Sequence, residues 1–264
     1  MNILSAIDPL RSLSGFAVGL LVGLTGVGGG ALMTPLLILV FGIHPATAVG
    51  TDLLYASITK SAGAAVHGWN GTVDWRVTGR LAAGSIPATI LTLFALHYVG
   101  GASGAERFSA FLSTMLGVAL ILTASVVLLQ QKIFRLAGTY MGDLEPRRTA
   151  ILTVAAGAVL GVLVSLSSVG AGAIGVTAII LLNPQLPMAR IVGSDIAHAV
   201  PLTFVAGLGY WLLGSVDWLL LGSLTLGSVP GIVVGSHMSA RVPDRILRPI
   251  LAATLAVVGS KLIF

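Results

Sequence analysis

The chain has 264 residues, 56% of them hydrophobic and only 9% charged, with 14 basic against 9 acidic side chains and a formal net charge of +5. A soluble domain carries about a quarter charged residues, so this chain lacks the polar surface to stay dissolved as a monomer, and its mean hydropathy of +1.01 reads as an integral membrane protein. The absence of cysteine excludes disulfide frameworks, thiolate metal sites and thiol nucleophiles; the apolar content excludes disorder, and basic residues scattered between apolar runs are topology markers rather than a nucleic-acid surface.

Residues 1–11 hold one acid and one base before the first apolar run. No short apolar core with a small-residue cleavage site follows, so this stretch is expected to stay with the mature protein. A membrane span needs about 20 apolar residues, and eight apolar segments are expected, all helical: 13–41, 46–69, 77–99, 108–129, 150–182, 191–213, 219–240 and 247–264. The first and fifth are too long for one span, and small residues interrupt each. Thr25-Gly26-Val27-Gly28-Gly29-Gly30 places four glycines in six positions, each costing a helix about 1 kcal/mol relative to alanine. Ser165 to Gly172 (Ser-Leu-Ser-Ser-Val-Gly-Ala-Gly) takes the same place in the fifth segment. Broken backbone at membrane depth survives only inside protein or along a wet cavity, and two breaks in matching positions point to a transport site.

The matching runs through the whole chain. Val49-Gly50-Thr51-Asp52 recurs as Val192-Gly193-Ser194-Asp195, Gly71 to Trp75 as Gly214 to Trp218, and Gly84-Ser85-Ile86-Pro87 as Gly227-Ser228-Val229-Pro230, all spaced by 143 residues (Asp52 to Asp195). The chain is therefore read as a duplication: a membrane repeat over 1–129, a charged linker over 130–148 and a second membrane repeat over 149–264. Equivalent loops carry opposite basic bias. Arg76 and Arg80 follow Trp75 where Leu219 and Ser223 stand in the second half, and Arg107 is alone where the second half has Arg241, Arg245 and Arg248. Such bias suits repeats of inverted topology, with the broken first element of each half re-entrant and the linker cytoplasmic. A parallel arrangement with single broken spans is the alternative.

Some small residues belong to packing. Gly15, Gly19 and Gly23, like Gly157, Gly161 and Ser165, have the i, i+4 spacing that lets membrane helices approach; these faces suit packing within one chain or between copies in a homo-oligomer. The run Thr25, Gly26, Gly28, Gly29, Gly30 is too dense for a helix and lacks the Lys-Ser/Thr of a phosphate-binding P-loop. It and its counterpart Ser167, Ser168, Gly170, Gly172 can turn backbone N–H groups and hydroxyls toward an anion at the start of a half-helix, or can be plain bends. Lys60, about 14 residues into an apolar run, is costly at that depth and is a functional candidate by default; an ion pair with Asp52, two turns away, is the bland alternative. Asp52, Thr59, Lys60, Gly63 and His67 share one face at about 100° per residue. Their counterparts in the second half are Asp195, His198, Thr203 and Tyr210, without a lysine. Asp52 and Asp195 either cap helices beginning at Thr51 and Ser194 or carry protons, with His198 one turn from Asp195 and His67 as further proton-carrying candidates. Asp74 and Asp217, each followed by Trp, read as helix caps beside an interfacial aromatic belt, and Pro87 and Pro230 as kinks.

These features together resemble the TauE/SafE family of sulfite and organosulfonate exporters: the glycine run 25–30 leading to Pro35, the block Val49–Asp52, the Val73-Asp74-Trp75 loop, and the same features repeated in the second half. The resemblance covers nearly the whole chain. It implies a multi-pass carrier of the bacterial inner membrane for small sulfur-containing anions such as sulfite, sulfoacetate or thiosulfate, coupled to protons and moving by alternating access, with the halves rocking about the site. A passive anion channel and an intramembrane enzyme are the alternative readings. The histidines at 44, 67, 97, 198 and 237 form no His-x3-His pair, and no Ser-His-Asp set stands at helical spacing; no metal, cofactor or nucleic acid is expected.

Overall fold

The computed structural model describes residues 9–25, 30–140, 145–239 and 244–263. These form ten helices: α1 (Pro9–Thr25), α2 (Gly30–Leu39), α3 (Pro45–Trp69), α4 (Trp75–Ser103), α5 (Ala105–Tyr140), α6 (Pro146–Ser167), α7 (Ala173–Leu182), α8 (Met188–Leu212), α9 (Trp218–Ser239) and α10 (Asp244–Ile263). The fifth apolar segment is split into α6 and α7 where its small residues cluster at 168–172; the glycine run of the first, at 26–29, lies outside the described residues. Among the described residues, four helices contain a stretch long and apolar enough to cross a membrane: Trp75–Gly100, Glu106–Gln130, Pro146–Ser167 and Met188–Leu212.

Local chemistry sets most of these boundaries. The Asp74 carboxylate accepts from the N–H groups of Arg76 and Val77 and starts α4, and Asp217 accepts from Leu220 at the head of α9. Both aspartates therefore cap, as their sequence context suggests. The Trp75 and Trp218 rings beside them are exposed. Pro45 and Pro146 occupy first-turn positions of α3 and α6, where a missing N–H costs nothing. Much of the charged linker 130–148 is helical: α5 runs on to Tyr140 and α6 starts at Pro146. Residues 130–140 contain only Gly138 as a breaker, and their polar side chains suit a helix that outruns the apolar layer.

Packing follows the duplication but crosses it. The tightest approaches use glycine: a Cβ at Gly84 would run into the Val154 carbonyl, at Gly157 into the Leu81 carbonyl and at Gly161 into the Ser85 carbonyl. Residue numbers rise together along both helices, so α4 and α6 run parallel. In the same way Gly15 faces Leu224, Gly19 faces Ser228 and Gly231 faces Phe16, so α1 and α9 run parallel. Each repeat thus lays its first helix on the third long helix of the other. Between α3 and α8 the order reverses: Gly50 lies on Tyr210, Gly207 on Leu54, Gly63 on Ile196 and Gly193 on His67 and Thr72. These two equivalent helices cross antiparallel at the centre.

The short helices double back. Thr34 of α2 meets Asp52 of α3, and α2 ends six residues before α3 begins, so the two are antiparallel; Gly175 of α7 meets Asp195 of α8 in the same sense. Since α1 runs with α9, which follows α8 and returns alongside α3, the chain reverses between α1 and α2. It reverses again between α6 and α7, making each pair a hairpin.

Candidate functional site

The two repeated motifs interlock across the halves. Gly50 and Gly193 leave room for the loops preceding α9 and α4, since a Cβ there would strike the carbonyls of Ser215 and Thr72. The next residue in each motif ties that loop down: Asp74 N–H donates to the Ser194 hydroxyl at 2.8 Å and Asp217 N–H to the Thr51 hydroxyl at 3.1 Å. The aspartate that follows turns inward. Asp52 and Asp195 are buried in the middle stretches of α3 and α8, well past helix starts at Pro45 and Met188, so the capping alternative for them fails: Gly50 and Gly193 sit inside helices and break nothing.

Around these acids the polar atoms gather. The Thr34 hydroxyl donates to Asp52 Oδ2 at 2.5 Å, and Ser168 lies next to the same carboxyl. His198 Nε2 lies 2.9 Å from the Ser85 hydroxyl. In the other half, Tyr55 occupies the place equivalent to His198 and Ser228 the place equivalent to Ser85, and these two are again neighbours. Lys60 does not pair with Asp52. Its ammonium donates to the Ala171 carbonyl at 2.9 Å, and it lies within electrostatic reach of both Asp52 and Asp195. Buried in the same region, Asp52 Oδ1, Asp195 Oδ1, Ser168 Oγ, His198 Nδ1 and Tyr55 Oη make no hydrogen bond. Unpartnered buried polar atoms are expensive and rare.

The break at 168–172 has a particular polarity. Ser168 sits in the left-handed region at φ 58°, and Gly170 and Gly172 at φ 116° and 136°, conformations that favour glycine. The carbonyls are occupied: Gly170 accepts from Gly175 N–H, Ala171 from Lys60 and Gly172 from Val176 N–H. Among the described residues, no acceptor takes the N–H groups of Gly170, Ala171, Gly172, Ala173 and Ile174. The hairpin tip therefore presents donors, beside the Lys60 side chain, at the N-terminus of α7. That end of a helix carries positive potential.

Of the residues singled out in the sequence, the structure brings together Lys60, Asp52, Asp195, His198, Ser168, Gly170 and Gly172. Ser167 is adjacent but engaged locally: its hydroxyl donates to the Leu163 carbonyl and accepts from Val169 N–H. His67 stands apart, its Nδ1 2.8 Å from the Thr72 hydroxyl at the end of α3. Thr25 closes α1 and Gly30 opens α2; Gly26, Gly28 and Gly29 lie outside the described residues. Thr34, Tyr55 and Ser85 are the site residues that sequence reasoning passed over. For Ser85 the signal was present, because it belongs to the repeated Gly-Ser-x-Pro block. Thr34 and Tyr55 carried none.

A cleft of about 340 Å³ opens at the end of the bundle where α3 begins and α8 finishes, lined among others by His44, His97, Tyr210 and Ser215. Tyr210 spans from this cleft to the hairpin, donating its hydroxyl to the Ser165 carbonyl at 3.0 Å.

A family model described as sulfite exporter TauE/SafE matches residues 12–262. The chain belongs to the TauE/SafE family. Among its curated relatives, the probable membrane transporter protein YjnA of Bacillus subtilis (strain 168) is 42% identical over 252 residues, 95% of this chain and 98% of that protein. The probable membrane transporter protein YdhB of the same organism is 28% identical over 94% of this chain and 97% of its own length. The probable membrane transporter protein MJ0441 of Methanocaldococcus jannaschii is 28% identical over 79% and 74%, respectively. No solved structure matches. This TauE/SafE chain is a multi-pass, all-helical membrane protein whose relatives are named as membrane transporters.

Proposed function

We propose that this TauE/SafE chain is a secondary exporter of small sulfur-containing anions such as sulfite, sulfoacetate or thiosulfate, coupled to protons and working in the bacterial inner membrane. The observation that carries the reading is the hairpin tip at 168–174. It offers a run of unengaged N–H groups, the free Ser168 hydroxyl and the Lys60 ammonium to one buried spot. Oriented N–H groups at a helix N-terminus bind oxyanions, and a lysine kept at membrane depth usually serves a substrate path. Lys60 does two jobs: it brings a basic group, and by holding the Ala171 carbonyl it ties α3 to the hairpin tip. By sequence correspondence alone, Thr25, Gly26, Gly28, Gly29 and Gly30 are the proposed substrate-contacting run of the first half.

Charge balance supports proton coupling. One ammonium faces Asp52 and Asp195, so an incoming anion would leave two negative charges uncompensated in an apolar surrounding, which is costly. Protonation of those carboxyl groups removes the excess, and anion binding then depends on proton uptake; His198 and His67 complete the set of candidate carriers. Antiparallel packing of the equivalent helices α3 and α8, together with the opposite basic bias of equivalent loops, supports inverted repeats with a cytoplasmic connection between them. In alternating access about such an axis, α1 would travel with α9 and α6 with α4, so each moving unit draws on both repeats.

Counterflow of labelled sulfite in proteoliposomes tests the reading, with unlabelled sulfite, sulfoacetate, thiosulfate, sulfate and chloride as challengers. Saturable exchange selective for one sulfur oxyanion is expected. Conductance without counterflow would make the protein a channel. No exchange with any of these anions, from protein shown to be folded, would overturn the substrate class.

A further inference from the structure

The two buried acids occupy equivalent positions but unequal surroundings. Asp52 is held: the Thr34 hydroxyl of α2 donates to it, and Ser168 stands alongside. The equivalent threonine in α7, Thr177, turns away and donates to the Ala173 carbonyl of its own helix at 2.7 Å. Among the described residues, no group donates to Asp195. Its carboxylate instead rests on the bare Cα of Gly175. A Cβ there would collide with Asp195 Oδ1, while its next neighbour, Leu160, lies at an ordinary 3.7 Å. The residue equivalent to Gly175 in α2 is Leu32, which packs against two clusters of the apolar core. One half carries a large apolar side chain at this position; the other carries none, and its acid lies against the bare backbone.

We infer that Gly175 is a positioning residue that frees Asp195 from its hairpin, making Asp195 the carboxyl group that takes up and releases the coupling proton, while Asp52 is a fixed pin between α2 and α3. This rests on the transport reading above and sharpens it, since both acids stood there as equal candidates. A hydroxyl donor favours the ionised form of the carboxylate it grips and so opposes its protonation. A carboxylate without donors meets no such opposition. The groups facing Asp195 are few. α3 presents Lys60, its own helix presents His198 one turn on, and the facing residues of α7, Gly175 and Thr177, do not titrate. Among the described residues of α4 and α6, no charged or titratable group bears on it. Lys60 then senses the proton directly: when Asp195 is neutral, the ammonium is released from one of its two counter-charges and is available to an anion at the hairpin tip.

The test uses the full chain in proteoliposomes, with infrared difference spectra between acid and alkaline pH and labelled-sulfite flux on the same preparations. The carboxyl C=O band that appears on acidification should vanish in Asp195→Asn and persist in Asp52→Asn. Gly175→Ala should keep the band but shift its midpoint by roughly one pH unit, with unchanged helix content. In the flux arm, Asp195→Asn should lose accumulation of sulfite driven by a pH gradient. A band lost in Asp52→Asn and kept in Asp195→Asn would overturn the assignment, as would an unmoved midpoint in Gly175→Ala or full gradient-driven accumulation in Asp195→Asn. Because the infrared arm needs no substrate, absence of sulfite exchange in the parent would count against sulfite as the substrate while leaving this assignment to be decided by the band.

Discussion

The helices α3 and α8 descend from one design and meet at the centre of the molecule, yet only part of that design is shared. Gly50 and Gly193, Thr51 and Ser194, Asp52 and Asp195 keep their kinds, and the first two of these pairs hold the opposite loop in place. Lys60 faces Thr203 in the equivalent position, Tyr55 faces His198, and His67 faces Tyr210. The shared glycines and hydroxyls build the frame; of the unlike residues, Lys60 reaches the hairpin tip. In a duplicated protein, a site for one asymmetric event is written where the copies differ.

Replacing the lysine breaks the comparison most severely. Lys60→Ala should fold but lower sulfite exchange by about 100-fold, the scale of losing a charge-assisted contact in a buried site; exchange at the parental rate would remove Lys60 from the site. Moving the charge sharpens the same point, and Lys60→Thr combined with Thr203→Lys should exchange faster than Lys60→Thr alone if the two helices are functionally equivalent frames. Next come the close approaches. Gly84→Val and Gly227→Val each drive a side chain into a neighbouring backbone carbonyl and should each cost about 3 kcal/mol in unfolding experiments in detergent. Similar losses in both halves are expected; a harmless change in one would show that its helix pair is not packed as its twin is.

Smaller effects separate frame from site. Thr51→Val and Ser194→Ala each remove one donor–acceptor link to the opposite loop and should lower stability by about 1 kcal/mol without changing selectivity among anions. Ser168→Ala and Ser167→Ala make the converse pair. Competition titrations should show about tenfold weaker anion binding for the first and near-parental binding for the second, whose hydroxyl serves only the local turn. His67→Asn should leave proton-driven accumulation within about twofold, because the ring is engaged with Thr72 at the end of α3; a large loss of coupling would bring it back among the proton carriers.

Much of the fold could be read along the chain, because helix length, apolar runs and glycine clusters are local signals. The break between α6 and α7 falls where the small residues are, and the aspartates of the Val-Asp-Trp loops cap the helices that follow. The end of α5 was hidden: Gln130 to Tyr140 look like a linker by charge, but they contain no strong breaker and the helix continues. Capping by Asp52 and Asp195 was a reasonable reading of Gly-Thr-Asp, and it fails because glycine inside a membrane helix serves contact as readily as termination. For the site, the face shared by Asp52 and Lys60 was evident from periodicity alone. That Lys60 would seize a carbonyl of the other half, and that His198 would meet Ser85, depends on contacts between residues more than a hundred positions apart, which no periodicity encodes. The unequal grip on the two acids was recorded in sequence as Leu32 against Gly175, a difference that acquires meaning only once the two hairpins are superposed on their neighbours.

The crossed packing of first helices on third helices also sets an order of assembly. α1 leaves the ribosome well before the helix it lies against, α9, is made. Until then its glycine face has no partner, and a chain arrested anywhere before α9 leaves that face open to lipid or to any other helix in the membrane. The second hairpin has no such delay, since α4 is already in place when α6 arrives. Quality control during synthesis should therefore act on the amino-terminal hairpin, and truncated chains should be recognised through it.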